Sequence, residues 1–260
     1  MQNAWPAEGD TVRNPGNAAD RPLLRGDATR PVALITGGGR GIGRATVAAF
    51  ASEGYTVILA ERLAGLGKRA AGALSAGGAS TLFVRTDVTS RVSVQRCVAT
   101  AIRRFGRLDC LVNNAGVVSV GPLHRLPATA LENMLAVNLR GPLLMARAVL
   151  PHMLRQRSGT IINVASQLGK YGLADYVTYC ATKFGVVGFT EALASELSDT
   201  GVRVWAVCPG LTDTAMAAKS GVSPGERAGL IRPETVGRKI VELAMGKRRE
   251  PSGTALDVIR

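Results

Sequence analysis

Aromatic residues make up only 4% of the 260-residue chain, and they are not interleaved with basic side chains. Base stacking needs such interleaving, so a nucleic-acid-binding surface is poorly supported. Cysteine is scarce as well. Cys97, Cys110, Cys180 and Cys208 stand far apart, without the paired spacing of a zinc site or a redox motif. We therefore expect reduced, buried thiols and no metal. No uninterrupted apolar run reaches transmembrane length, and residues 1–30 lack the basic start and apolar block of a secretory signal. These absences point to a soluble, cytoplasmic protein with no membrane partner. Acidic residues are also few, 19 against 32 Lys plus Arg, for a net charge of +13. That excess suits an anionic partner, a nucleotide cofactor or a basic surface.

The excess is unevenly placed. Residues 1–30 carry four Arg and four acids, with several Pro, Gly and Asn and no apolar periodicity, the composition of a disordered tail. Residues 85–107 hold six Arg and one Asp, and residues 219–249 hold eight basic and three acidic residues. Both stretches fall on expected exterior helices and loops, where charge can steer an anionic ligand or only solvate a surface.

From Pro31 the pattern turns to short apolar runs alternating with longer amphipathic segments. Strands are expected at 32–36, 56–60, 80–85, 108–113, 160–165, 202–207 and 254–259. Helices are expected at 42–52, 63–74, 92–105, 128–156, 176–197 and 234–244. Gly54, Gly77, Gly106 and Gly201 stand where helices should stop in a left-handed residue. Seven strands with right-handed crossovers give an α/β fold, a doubly wound parallel sheet with helices on both faces, as one domain over 31–260.

The first strand breaks at Gly37, Gly38, Gly39, Arg40, Gly41, Ile42 and Gly43, and a helix follows. Such glycines let the backbone approach a pyrophosphate, and the free amides at the helix start favour its charge. Eighteen residues past Gly43 comes Glu61, placed to accept ribose hydroxyl hydrogens and repel a 2′-phosphate, which favours NAD. Arg40 and Arg62 argue for the phosphorylated cofactor, since two guanidinium groups near one ribose can hold a phosphate. Asp87 and Val88, after the third strand, can meet an adenine edge, and Asp87 can also cap the next helix. Tyr179 and Lys183 lie four apart in a helical segment and share one face. An ammonium beside a phenol moves its pKa down from about 10 toward use at neutral pH.

Thr36 to Gly43, Asn113-Asn114-Ala115-Gly116, Asn138, Ser166 thirteen residues before Tyr179, Lys183, and Pro209-Gly210 occur in one order and spacing. In this the chain, from about residue 31 to its end, resembles the short-chain dehydrogenases/reductases. The resemblance implies a Rossmann-type sheet and hydride exchange between NAD(P) and a secondary alcohol or ketone. It implies Tyr179 as general acid or base, Ser166 as the group that positions the substrate oxygen, and Lys183 as holder of the nicotinamide ribose. Asn138 would anchor a water relaying protons to Lys183. Thr36 would belong to the cradle. Asn113 and Asn114 would support the adenosine side, with Ala115 and Gly116 letting the cofactor lie close. Pro209, Gly210, Thr212 and Thr214 would frame the nicotinamide. A homodimer or homotetramer is implied too, built on the long helices, whose apolar residues Leu135, Leu139, Leu143, Val187, Phe189 and Leu193 occupy more than one face.

The chain departs from that family in a short 217–232 segment and in lacking a glycine pair after Leu256-Asp257-Val258. The substrate pocket is expected to be lined by Val117, Val118, Ser119, Gln167, Leu168, Tyr171, Leu211 and residues 215–225. Competing readings are an NADPH-dependent 3-oxoacyl reductase, a nucleotide-binding regulator without catalysis, and a nucleic-acid binder. The intact Asn138, Ser166, Tyr179 and Lys183 argue against the regulator.

Overall fold

The computed structural model describes residues 30–219 and 229–259. The expected tail, Arg30 apart, lies outside the described residues, as do positions 220–225 of the expected pocket lining. Seven strands form one sheet in the order β3-β2-β1-β4-β5-β6-β7. They are β1 (Val32–Thr36), β2 (Thr56–Glu61), β3 (Thr81–Arg85), β4 (Cys110–Asn113), β5 (Gly159–Val164), β6 (Val202–Pro209) and β7 (Ala255–Val258). Every neighbouring pair is parallel.

Short apolar runs become strands here because both sheet faces are covered. Alternate residues of β1 divide between two cores. Val32 and Leu34 pack with α3 (Arg91–Phe105), α5 (Gly141–Gln156) and α6 (Val177–Glu196). Ala33 and Ile35 pack with α1 (Gly41–Ser52), α2 (Ala64–Ala76) and α8 (Pro233–Ala244). The strand order reverses between β1 and β4, and the crevice at such a switch point is where an α/β sheet binds ligands.

Helix ends follow the sequence with two changes. Gly54 and Gly106 stop helices with positive φ, but Gly77 does not and Gly78 takes that conformation instead, and Gly201, though at φ 77°, lies beyond α6, whose C-cap is Leu197. The single helix expected over 128–156 is three pieces: α4 (Ala128–Met134), a π-helical turn (Leu135–Arg140) and α5. The four cysteines are buried and free. Leu193 is buried inside its own chain, whereas Leu135 and Leu143 face outward as expected. Among the described residues no helix is long and apolar enough to cross a membrane, and none of the His, Cys, Asp and Glu clusters suits a metal.

Candidate active site

The glycine turn after β1 is held from below by β4. Thr36 Oγ1 donates to Val112 O (3.3 Å) and accepts from the amides of Asn114 (3.0 Å) and Ala115 (3.1 Å). Asn114 Nδ2 donates to Thr36 O (2.9 Å) and Gly37 O (3.2 Å). Thr36 and Asn114 thus shape the cradle with their side chains committed to protein. Gly37, at φ 64°, lies so close to β4 that a Cβ would come within 2.9 Å of Ala115 Cα. A Cβ on Gly43 would overlap Gly37 O and Asn114 Nδ2, and one on Gly39 would sit 3.0 Å from Glu61 Oε2. Arg40 is the exposed N-cap of α1, whose first turn holds no acidic residue. Ile42, the second residue of that helix, packs partly into the core below. A turn stripped of side chains and opening onto uncancelled helix amides fits a dinucleotide pyrophosphate.

At the carboxyl end of β2, Glu61 is buried and turned inward, accepting from Gly39 N (3.3 Å) and Leu63 N (3.0 Å). Arg62 is exposed and, with Arg85, Asp87, Ser90, Ser93 and Arg96, lines a cavity of about 410 Å³. Asp87 does not cap α3, because Ser90 is the N-cap, with its hydroxyl 3.3 Å from Ser93 N. The Asp87 carboxylate instead accepts from the amide (2.9 Å) and hydroxyl (2.7 Å) of Thr89. Burial pushes that carboxyl upward, but the Thr89 bonds and the Arg62 charge outweigh it and leave the pKa lowered. Val88 packs against Gly141 at the start of α5.

The reacting side chains converge beyond the carboxyl ends of β4 and β5. Ser166 leaves β5 as the N-cap of a 3₁₀ turn, Gln167–Gly169. Tyr179 and Lys183 lie on the buried face of α6, with the ammonium 5.6 Å from the Tyr179 ring centre. Asn138 sits in the π-helical turn, a distortion that often marks functional positions. Its Oδ1 accepts from Val117 N (2.8 Å), and its Nδ2 donates to Val117 O (2.8 Å) and Thr182 Oγ1 (3.3 Å). Beneath them Asn113 Nδ2 donates to Asn163 Oδ1 (2.9 Å) and Asn163 Nδ2 to Thr190 Oγ1 (2.9 Å). Asn113 is therefore a buried support, and its side chain does not reach toward the adenosine.

Electrostatics depart from expectation at Tyr179. Burial pushes its phenol up to about 12, against a lowering by a hydrogen bond with Ser166, and Cys180 and Tyr176 add to the rise. Without a bound cofactor, the protein holds Tyr179 as a proton donor. Burial pushes Lys183 down to about 8, while its Nζ donates to Val164 O at 2.8 Å. Because the folded value lies below the unfolded one, Lys183 subtracts from stability below pH 8, and the penalty disappears as pH rises to the unfolded value of about 10.5. The penalty is about 3 kcal/mol at neutral pH, of the same order as the roughly 1.5–3 kcal/mol contributed by a hydrogen bond to a charged group such as that to Val164 O. Lys183→Met, which removes both, is accordingly expected to melt higher relative to the unliganded wild type at pH 7 than at pH 10.5. Thermal melts of both proteins at both pH values check this, and a difference that does not change with pH would contradict it.

At the other end of the crevice, β6 ends at Pro209, and Gly210 leaves room beside Gln167 Oε1, 3.0 Å from where its Cβ would stand. Thr212 is buried, donates to Gly210 O (2.9 Å) and pairs with Ile231, so it shapes this loop from inside. Thr214 lies against the cradle itself, its Cγ2 3.1 Å from the Cβ position of Gly41. Gly116 faces Asn138 and Met216, which stands in α7 (Ala215–Lys219). Tyr171 and Leu211 are exposed at the rim. That rim is tied across its mouth, where Gly121 N donates to Asp175 O (2.9 Å) and Asp175 holds a left-handed φ of 66°.

Three contributors escaped the sequence. Asn163 was signalled by a polar residue inside an apolar strand. Thr182, which donates to Tyr179 O (2.7 Å), and Tyr176, with its ring centre 6.4 Å from that of Tyr179, had no signal beyond proximity along the helix.

Residues 31–223 match the family model for short chain dehydrogenases. The chain is 39% identical over 229 residues to 2-(S)-hydroxypropyl-CoM dehydrogenase 3 of Xanthobacter autotrophicus, covering 88% of each. Among solved structures it resembles a 3-ketoacyl-(acyl-carrier-protein) reductase from Brucella melitensis complexed with NADH, at 31% identity and TM-score 0.81 over 88% of this chain and 96% of that one. It also resembles a point variant of actinorhodin polyketide ketoreductase with NADPH, at 32% identity and TM-score 0.84 over 89% and 96%. Sequence, fold and site geometry agree that the chain belongs to the short-chain dehydrogenase/reductase family and is an NAD(P)-dependent oxidoreductase acting on CH–OH groups.

Proposed function

We propose that the protein interconverts a small secondary alcohol and its ketone with NAD, using Asn138, Ser166, Tyr179 and Lys183. The observation that carries this is a buried Tyr179 one turn from Lys183, whose ammonium lies 5.6 Å from its ring centre, with Ser166 near enough at the end of β5 to act on the phenol. Bound there, the dinucleotide supplies or takes the hydride. Tyr179 gives its phenolic proton to the substrate oxygen during reduction and takes one back during oxidation. Ser166 donates to the same oxygen and fixes its position. The Lys183 ammonium, 5.6 Å from the Tyr179 ring centre, would hold the ribose hydroxyls of a bound dinucleotide and stabilise the phenolate. Asn138 keeps Val117 and Thr182 in place around a proton path to Lys183. Exposed Leu135 of the π-helical turn, Leu143 of α5 and Phe184 of α6 support pairing of two copies through this face. We place the enzyme in the cytoplasm as one catalytic domain over 31–260.

The NAD preference rests on Glu61. Its carboxylate lies against Gly39 in the glycine turn, where it would accept from the ribose hydroxyls of a bound dinucleotide, whereas the Arg62 charge acts on Asp87. Wild type is expected to show a higher kcat/KM with NAD than with NADP, and Glu61→Ser to move the ratio toward NADP by about tenfold or more, a cost of roughly 1.4 kcal/mol in discrimination. Steady-state kinetics with both cofactors decide this. A wild-type preference for NADP would overturn the assignment of Glu61.

A further inference from the structure

The turn that carries Ser166 is enclosed on three sides. Ser166 Oγ accepts from Leu168 N (3.2 Å), while Gly169 N and Lys170 N close the turn on Ser166 O and Gln167 O, each at 2.9 Å. Gly169 is seated on α6 so closely that a Cβ would come within 2.8 Å of Lys183 O. On the β6 side, the residue before Ser166, Ala165, donates its amide to Val207 O at 2.8 Å. Lys170 supplies the third side. Its ammonium crosses to β7, 2.8 Å from Ala255 O and 3.0 Å from Asp257 Oδ2. Ala255 and Asp257 are themselves in register with Ala206 and Cys208 of β6.

A half-exposed ion pair of this kind contributes little to global stability, so its consequence is local. Two contacts from one ammonium anchor the far end of a turn whose near end is the substrate-orienting hydroxyl. Such a hydroxyl must be held within about 0.5 Å of its productive place by the groups around it. Without the anchor, the turn keeps its own backbone bonds, the Ala165 bond to β6 and the Gly169 seat on α6.

We propose that Lys170 is a positioning residue, whose anchor to Ala255 and Asp257 of β7 aims Ser166 at the substrate oxygen. The proposal rests on the reading of Ser166 as the residue that orients that oxygen. Lys170 touches neither substrate nor reacting atoms. Its effect is expected in turnover, with dinucleotide binding unchanged, because the cradle and Lys183 are built from other elements. Arginine can span the same gap and keep both contacts, whereas methionine keeps the apolar stem and loses both.

The test combines hydrogen exchange with kinetics on Lys170→Met, Lys170→Arg and Asp257→Asn, using acetoin and ethyl acetoacetate as ketone probes. In Lys170→Met, amides 168–170 are expected to exchange about tenfold faster while α6 keeps its protection. On the faster probe kcat is expected to fall about five- to tenfold, with KM for the dinucleotide within about twofold. Lys170→Arg should restore both, and Asp257→Asn should fall between. Unchanged exchange in Lys170→Met overturns the proposal, as does faster exchange with unchanged kcat, or a loss that arginine does not rescue. If wild type reduces neither ketone, the small-ketone reading fails separately, and the exchange data still decide whether Lys170 anchors the turn.

Discussion

Tyr179→Phe is expected to lower kcat by about 10²- to 10⁴-fold, the range associated with loss of a positioned general acid, while dinucleotide affinity stays within a few-fold. The phenol is buried and held as a donor by its surroundings, and phenylalanine fills the same space without the proton. No neighbour can take over. Lys183 Nζ, one of whose protons goes to Val164 O, lies 5.6 Å from the Tyr179 ring centre, and Cys180 is buried. The Tyr176 ring centre is 6.4 Å away and edge-on. Loss of the Ser166 bond subtracts roughly 1 kcal/mol from stability, so the variant remains folded and its kinetics interpretable. Steady-state turnover with direct titration of the dinucleotide measures both quantities, and turnover surviving within a few-fold would remove Tyr179 from its role.

Gly43→Ala acts through geometry. The added methyl would overlap Gly37 O and Asn114 Nδ2, and these two atoms belong to the network that holds the turn at 2.9 to 3.2 Å. Overpacking of this kind costs about 1–3 kcal/mol, and relief requires the turn to move away from β4. A displacement near 1 Å is enough to lower kcat/KM for the dinucleotide about 10²-fold. Gly72→Ala is the control, since its Cβ meets nothing within 4 Å on an exposed part of α2. It should leave kinetics unchanged and add a few tenths to about 1 kcal/mol of stability through helix propensity. Equal kinetic effects of the two substitutions would show that Gly43 is not needed for the cradle.

What the sequence made legible follows from local physics. β1, β2 and β6 are apolar runs buried on both faces, so composition alone marks them, and the glycine turn announces itself by side chains that are missing. The errors lie where two solutions are locally equivalent. Asp87 and Ser90 are both good caps, and only the position of Ser93 decides for Ser90. Gly77 and Gly78 are adjacent, and either can turn left-handed. The π-helical turn at Leu135–Arg140 leaves an apolar spacing indistinguishable from an unbroken helix, although it is what presents Asn138. Long-range partners were illegible for a different reason. Lys170 and Asp257 meet only once β6 and β7 pair, and the Tyr179 phenol rises because of burial that the four-residue spacing to Lys183 does not encode.

Charge changes meaning with the structure. Among the basic residues of 85–107, Arg85 and Arg96 gather with Arg62 around one cavity at the adenosine end. The excess of +13 thus includes a focus beside the cofactor crevice, where it can draw in an anionic dinucleotide without contributing to the transfer step.

The most direct measurement follows the hydride itself. Butan-2-ol carrying deuterium on the carbinol carbon is incubated with NAD and the enzyme, and the reduced dinucleotide is examined by mass spectrometry alongside the Tyr179→Phe protein. The account predicts one deuterium in the reduced dinucleotide with wild type and almost none with the variant over the same interval. Reduction without label, or equal labelling by both proteins, would contradict it.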